Sequence, residues 1–267
     1  MHPMLNIAVR AARSAGNIIA RATGQLDLIK PQQKGTNDFV TNVDQEAEHA
    51  IVQVLRKSFP THGIIGEEHG DYGNSDSEYQ WIIDPLDGTT NFIKGIPHFA
   101  VSIALKAHGK LDQAVIFDPL RGELFTASRG RGAQLNGTRI RVNNHPDLSG
   151  TVLATGFPFK AKHHMDSYSK IFNSFFADCA DIRRTGSAAL DLAYVAAGRF
   201  DGFWEIGLKP WDIAAGELII REAGGLVSDF TGGNNQLRSG NIVAASPKVL
   251  ACMLKGMRPH LSETLSK

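Results

Sequence analysis

Residues 80 to 92 read Q-W-I-I-D-P-L-D-G-T-T-N-F, and this stretch restricts the chain more than any other. Trp81, Ile82 and Ile83 have the look of a buried strand near its end. Pro85 has no amide proton to give to a ladder, so pairing is expected to stop just after Asp84. Asp84 and Asp87 are then two carboxylates at a strand end. They repel each other, and a divalent cation is the usual means of keeping both ionised at neutral pH. Gly88 lets the backbone approach a ligand, and the amides of Gly88 and Thr89 would be free donors where a helix begins, a good place for phosphate. Adjacent cation and anion sites point to metal-dependent phosphate chemistry.

Asp, Pro and Gly also favour plain surface turns. The chain carries its own control in Asp118-Pro119-Leu120-Arg121-Gly122, which repeats the turn vocabulary between two strand-like runs but lacks the second Asp and the Gly-Thr-Thr. That copy reads as an ordinary hairpin connection. At residues 84 to 91 carboxylates and donors occur together, which favours a functional site.

With 267 residues the chain can bury a large core, as one large domain or two intimately joined ones. The 28 Lys and Arg residues balance 27 acidic ones, a net charge of +1, so there is no bulk attraction to nucleic acid or membrane. Cys179 and Cys252 lie far apart, with no zinc spacing, as expected in a reducing cytosol. No secretory leader is evident and no apolar run approaches the roughly 20 residues that span a bilayer. The expected location is the cytoplasm.

Along the chain, residues 4 to 22 place Leu5, Ala8, Ala12, Ala15, Ile18 and Ile19 near one helical face, with Gly24 as a stop. Thr41-Asn42-Val43-Asp44 has the layout of a capping box ahead of a second helix that runs to Phe59-Pro60. A polar loop, Gln32 to Asp38, is expected between them. Strand-like runs at 63 to 66, 80 to 84, 100 to 107, 111 to 117 and 123 to 127 suggest a largely antiparallel sheet. After Val142 to Pro146 the pattern alternates: strand 151 to 155, helix 164 to 177, strand near 182, helix 187 to 197, a helix opening at Trp211-Asp212, strand 226 to 230, strand 241 to 245, and a helix begun by Ser246-Pro247. The expectation is an N-terminal α+β half, 1 to 146, holding the metal motif, and a C-terminal α/β half, 147 to 267, completing the site.

Two aspartates rarely hold magnesium alone, so further carboxylates are needed. Glu67-Glu68 follows the short apolar run Gly63-Ile64-Ile65-Gly66 and would sit at a strand end, although a solvated acidic turn reads equally well. Asp212 begins a helix after Trp211, and Asp44 closes the capping box. Both have simple capping roles that require no metal.

The stretches W-I-I-D-P-L-D-G-T-T-N-F, the earlier G-E-E and the later W-D-I-A-A-G-E-L-I-I-R-E-A-G-G resemble the inositol monophosphatase family of magnesium-dependent, lithium-sensitive phosphatases, in particular its bacterial SuhB-type branch. The resemblance extends from the Lys34 to Asp44 loop through Thr231-Gly232-Gly233. It implies a layered α-β-α-β-α sandwich, in class terms α+β / α/β, with the metal site between its halves. It also implies that Glu67, Asp84 and the Leu86 carbonyl hold one Mg2+, that Asp84, Asp87 and Asp212 hold a second, and that a third, weaker ion lies near Glu67. Thr89 and Asp44 would orient a metal-activated water and take its proton, and the Gly88 and Thr89 amides would hold phosphate. Gly186, Ser187, Ala188, Glu205 and Asp212 match positions facing the inositol ring, and Lys34 is a further candidate near metal or phosphate. The chain departs from the family at Thr155-Gly156-Phe157-Pro158-Phe159, where a serine-bearing segment is common, which opens broader preferences among sugar or glycerol phosphates.

Taken together the expected activity is hydrolysis of myo-inositol 1-phosphate and related polyol monophosphates. A haloacid-dehalogenase-type phosphatase uses D-x-D, one residue between its aspartates, whereas Asp84 and Asp87 have two between them, so an attacking water is expected instead of an aspartyl nucleophile. A nucleotide or sugar bisphosphate phosphatase on the same architecture is the nearest alternative. The resemblance also implies a homodimer, with the segment around Arg183 as the suggested contact, and partnership with RNA polymerase and Nus factors in ribosomal RNA antitermination. Arg183-Arg184, Arg129-Gly130-Arg131 and Arg139-Ile140-Arg141 could serve such a surface, although solvated charge is the simpler reading of each.

Overall fold

The structure is a computed structural model that describes residues 2–29, 31–35, 38–73 and 77–266. In chain order its elements are α1 (Pro3–Ala22), β1 (Gln32–Gly35), β2 (Asp38–Val40), α2 (Asn42–Ser58), β3 (Gly63–Gly66), β4 (Gly70–Tyr72), β5 (Tyr79–Asp87), α3 (Thr89–Ile93), β6 (Ala100–Ala107), β7 (Lys110–Asp118), β8 (Glu123–Ser128), β9 (Gly132–Leu135) and β10 (Thr138–Arg139). The second half holds β11 (Val152–Thr155), α4 (Met165–Asp178), β12 (Asp181–Arg183), α5 (Ala188–Ala196), β13 (Gly202–Glu205), α6 (Pro210–Glu222), β14 (Leu226–Ser228), α7 (Gln236–Ser239), β15 (Ile242–Ala245) and α8 (Pro247–Met257). Among the described residues no helix is long and apolar enough to cross a membrane.

Two sheets organise these elements. The larger has eight strands in the order β10-β9-β8-β7-β6-β5-β3-β4, and the smaller five in the order β12-β11-β13-β15-β14. Helices α1 and α2 pack on one face of the large sheet, α5 and α6 lie between the sheets, and α4 and α8 cover the far face of the small one. The result is the expected α-β-α-β-α sandwich. Strand periodicity divides its core. Trp81, Ile83, Val101, Ile103 and Leu105 point toward α1 and α2, whereas Ile82, Ala100 and Ala104 meet α5 and α6. Small side chains on that inner layer, Ala189, Ala193, Ala214 and Ala215 among them, let helix and sheet approach closely. Each large side chain withdrawn from water here, such as Trp81 or Phe203, contributes roughly 1.5–3 kcal/mol.

Three expectations are corrected. The Gln32 to Asp38 stretch is not wholly a loop, because β1 and β2 pair as an antiparallel hairpin over Gln32↔Val40 and Gln33↔Phe39. β13 and the short β9 and β10 were not anticipated, since runs of two to four residues carry too little periodicity. Most consequential, β5 does not stop after Asp84: its ladder with β6 runs through Asp84↔Ser102, is interrupted, and resumes at Asp87↔Ala100. Three residue steps on β5 thus oppose two on β6, a bulge with the non-donating Pro85 inside it. Side chains alternate along a strand, so residues three apart would ordinarily face opposite sides. The extra residue cancels that inversion and aims Asp84 and Asp87 into the same space. As expected, Asp118 to Gly122 is the hairpin connection between β7 and β8, held by Asp118 Oδ1 accepting from the Leu120 and Arg121 amides at 2.9 Å each.

Candidate active site

At the bulge, oxygens of Asp84, Asp87 and Asp212 all lie within 4.8 Å of one another. Three separate local structures bring them there. Asp84 ends the regular part of β5, and its Oδ1 accepts from the Leu86 amide at 2.9 Å, which fixes the bulge turn. The Asp87 Oδ2 accepts from the Ser187 hydroxyl at 2.6 Å and from the Ala189 amide at 2.7 Å, both at the start of α5. Asp212 lies in the first turn of α6, its Oδ2 accepting from the Lys209 amide at 2.7 Å. Each carboxylate has one oxygen tied to the backbone or to a cap, so the side chains arrive pre-oriented.

The electrostatic tension is considerable. Burial, then the charges of Glu67, Asp87 and Asp212, push Asp84 well above the usual carboxylate range. Burial pushes Asp87 up to about 6 against the opposing hydrogen bonds from Ser187 and Ala189, and burial followed by the Asp87 charge pushes Asp212 up to about 7. The donor set is all hard oxygen without nitrogen or sulfur, which fits magnesium or calcium and does not fit a soft metal.

The triad faces a cavity of about 610 Å³. Glu67 lines the same cavity from the turn after β3, outside the close triad, and its amide donates to the Ile83 carbonyl on β5 at 3.2 Å. Gly88 and Thr89 line it too, with Gly88 at φ 99°, a left-handed conformation that glycine adopts at little cost. A Cβ at residue 88 would stand 3.0 Å from the His98 carbonyl oxygen, so the turn tolerates no larger residue without shifting backbone.

Asp44 reaches the site through Thr89. One carboxylate oxygen completes the capping box, accepting from the Thr41 amide at 2.9 Å and its hydroxyl at 2.6 Å, while the other accepts from the Thr89 hydroxyl at 2.9 Å. The cap on α2 and the contact with Thr89 are therefore made by a single side chain. The Thr89 hydroxyl also lies 3.0 Å from the Leu86 carbonyl oxygen, and its one proton is shared between the two acceptors. Burial raises Asp44 above its ordinary range despite those bonds.

On the opposite wall Gly186 lines the cavity, but the Ser187 hydroxyl is committed to Asp87 while accepting from the Leu190 amide as the N-cap of α5. Ala188 is the first residue of that helix. Glu205, at the end of β13, is partly buried and does not line the cavity wall; a Cβ at residue 156 would overlap its carboxylate, which would then have to swing aside. Burial, then Asp212 and Asp191, push Glu205 well above the usual range. The backbone of Lys34 lies in β1, and its side chain is outside the described residues.

Sequence reading missed several neighbours. Arg184 was assigned to a partner surface or to solvent, yet it lines the cavity, its guanidinium 5.4 Å from the Phe157 ring centre and 5.0 Å from that of Phe159. Lys160 lines the same rim. Asp191, one turn into α5, is buried, and its Oδ1 accepts from the Thr185 hydroxyl at 2.6 Å. Only the clustering of Phe157, Phe159 and Arg184 in space separates them from ordinary surface residues. Arg183, beside Arg184, instead pairs with Asp181 at the surface, and Arg129 pairs with Asp112 at 2.9 Å.

Known proteins resemble the chain over nearly its whole length. Residues 1–261 match the sequence profile of the inositol monophosphatase family. The Nus factor SuhB of Escherichia coli K12 is 62% identical over 267 residues, covering 100% of both chains, and the Nus factor SuhB of Vibrio cholerae is 59% identical over the same span. Among solved structures, the extragenic suppressor protein suhB of Bartonella henselae superposes with a TM-score of 0.94 at 43% identity, covering 97% of this chain and 100% of that one. The inositol monophosphatase of Anabaena superposes with a TM-score of 0.86 at 38% identity, covering 96% and 95%. On the match of its sequence over residues 1–261 and on its full-length relatives, the chain is a member of the inositol monophosphatase family.

Proposed function

We propose that the chain is a magnesium-dependent phosphomonoesterase that hydrolyses myo-inositol 1-phosphate and related polyol monophosphates. The supporting observation is the gathering of Asp84, Asp87 and Asp212 beside the Thr89–Asp44 pair in one cavity. Glu67, Asp84 and the Leu86 carbonyl would hold one magnesium, Asp84, Asp87 and Asp212 a second, and the Glu67 side of the cavity a third, weaker one. Bound there, magnesium supplies Lewis-acid stabilisation of negative charge and lowers the pKa of water to make a nucleophile at neutral pH.

The remaining chemistry belongs to the chain. The Thr89 oxygen has a lone pair left to orient an incoming water, and its proton lies within reach of Asp44 as well as the Leu86 carbonyl; burial makes the Asp44 carboxylate a stronger base than usual. The Gly88 and Thr89 amides hold phosphate oxygens. Gly186 and Asp212, which line the cavity, would bound the space for the polyol, with Ser187 acting through Asp87 and with Ala188 and Glu205 set back from the wall. Arg184, stacked on Phe157 and Phe159, and Lys160 place positive charge at the entrance, where an anionic substrate arrives. The test is phosphate release by the purified chain with magnesium, with and without lithium. Hydrolysis of nucleotide or sugar bisphosphates without hydrolysis of inositol 1-phosphate would reassign the substrate.

A second reading is favoured by the full-length relatives named Nus factor SuhB. In that reading the chain, in the cytoplasm and as a homodimer, also joins RNA polymerase and Nus factors during ribosomal RNA antitermination, through a surface separate from the cavity. Asp87→Asn separates the roles: it removes hydrolysis and leaves such binding intact. Loss of both together would argue against a separate surface.

A further inference from the structure

Helix α2 carries a second carboxylate that the proposed chemistry leaves unused. Glu48 lies one turn beyond Asp44 on the same buried face and has no exposed surface. A buried charge is tolerated only when it is bonded, and Glu48 accepts four hydrogen bonds. Its Oε2 accepts from the Glu68 amide at 3.0 Å. Its Oε1 accepts from the His69 amide at 3.1 Å, the His69 Nδ1 at 2.6 Å and the Tyr72 hydroxyl at 2.9 Å. All four donors belong to the turn and strand that immediately follow Glu67.

The space for this carboxylate exists because residue 66 is glycine, since a Cβ there would overlap Glu48 Oε2. The β3–β4 hairpin does not need the bond set to close, because its own ladder pairs Ile64↔Tyr72, Ile65↔Asp71 and Gly66↔Gly70. What the ladder leaves undetermined is the direction of the turn between the strands. Glu67 is tied to Ile83 on β5, and the next two amides are tied to Glu48. Three consecutive backbone amides are thereby bonded, and Glu67 lines the cavity although the Asp84 carboxylate repels it.

We infer that Glu48 is a positioning residue: it clamps the turn that presents Glu67, so that one face of α2 serves both sides of the site, Asp44 through Thr89 and Glu48 through residues 67 to 69. The inference rests on the reading of Glu67 as a magnesium ligand. Outer-shell groups of this kind typically change metal affinity by roughly 10- to 100-fold when altered.

The experiment compares wild type, Glu48→Gln, Gly66→Ala and Tyr72→Phe by calorimetric titration of magnesium into the metal-free protein, alongside melting temperature and kcat against magnesium concentration. Glutamine keeps the size of the side chain but replaces one acceptor oxygen with a donor, which faces amides and cannot bond them. Glu48→Gln is expected to weaken magnesium binding by roughly tenfold or more, with kcat recovering at saturating magnesium. Gly66→Ala, which displaces the carboxylate from the strand side, should shift binding the same way, and Tyr72→Phe, which removes a single donor, by only about two- to threefold, the low end of what one hydrogen bond contributes. If the variants melt lower but bind magnesium as wild type does, the clamp is mere hairpin glue and the inference is overturned. If wild type itself binds no magnesium, the metal reading fails instead, and the clamp loses its purpose with it.

Discussion

Replacing Asp212 by asparagine should make the metal-free protein more stable while abolishing its response to magnesium. The Asn Oδ1 can still accept from the Lys209 amide, so the cap on α6 survives and only the charge is lost. Burial and the Asp87 charge move Asp212 from 3.8 to about 7. At 1.36 kcal/mol per pH unit, that displacement corresponds to roughly 4 kcal/mol of ionisation penalty in the folded state. Partial exposure and sharing of the repulsion with Asp87 reduce the recoverable part to about 2–3 kcal/mol. The sign follows from linkage. The folded-state value is raised, so the folded protein binds more protons than the unfolded chain between the two values. Metal-free wild type therefore loses stability as pH rises from about 4 to about 7, and the penalty is fully developed above 7. For a chain of this size the relief is about 4–7 °C in melting temperature. The assay is calorimetric melting in chelator at pH 8 and pH 4.5, then at pH 8 with saturating magnesium. Asp212→Asn should melt higher than wild type at pH 8 in chelator, show little advantage at pH 4.5, and fall behind once magnesium is added, because only wild type gains from ligand binding. An Asp212→Asn variant no more stable than wild type in chelator at pH 8 would refute the idea that these carboxylates are held together under strain.

Three further outcomes are expected. Thr89→Val, which keeps the shape but deletes the hydroxyl between Asp44 and the cavity, should lower kcat by roughly 100-fold or more while leaving magnesium binding in place, as read by steady-state kinetics and calorimetric titration. Arg184→Gln should raise KM severalfold with little change in kcat, and the effect should shrink at high salt, because the guanidinium acts on an incoming anion. Gly156→Ala should raise KM for inositol 1-phosphate more than for a small substrate such as glycerol 2-phosphate, since the new Cβ displaces the Glu205 carboxylate behind the polyol space; equal effects on both substrates would count against a ring-facing role for Glu205.

Much of the architecture was legible because it is written in local chemistry. The capping box at Thr41 to Asp44, the proline at the start of α8 and the apolar spacing of α1 are short-range signals, and the helices form where those signals stand. The long strands β6, β7 and β8 announced themselves in the same way. Arg184 and Asp191 did not. Their neighbours in the chain say nothing of the aromatic rings or the hydroxyl they meet, and only folding supplies those partners.

The same division applies to the aspartate motif. The sequence alone established that two carboxylates, a proline and a glycine stand together after an apolar run, and from this it raised the expectation of a cation and an anion held side by side. It could not say how carboxylates an odd number of residues apart come to share one face of a strand, nor which distant residues join them. The ladder of β5 with β6 settled the first by taking an extra residue at Pro85 and so reversing the alternation of side chains. The packing of α5 and α6 between two sheets settled the second, bringing Ser187 and Asp212 to Asp87 across a separation of 100 residues or more. Local bonding decides which segments become helix or strand, but the meeting of charges is a property of layers, and layers form only when the whole core is buried.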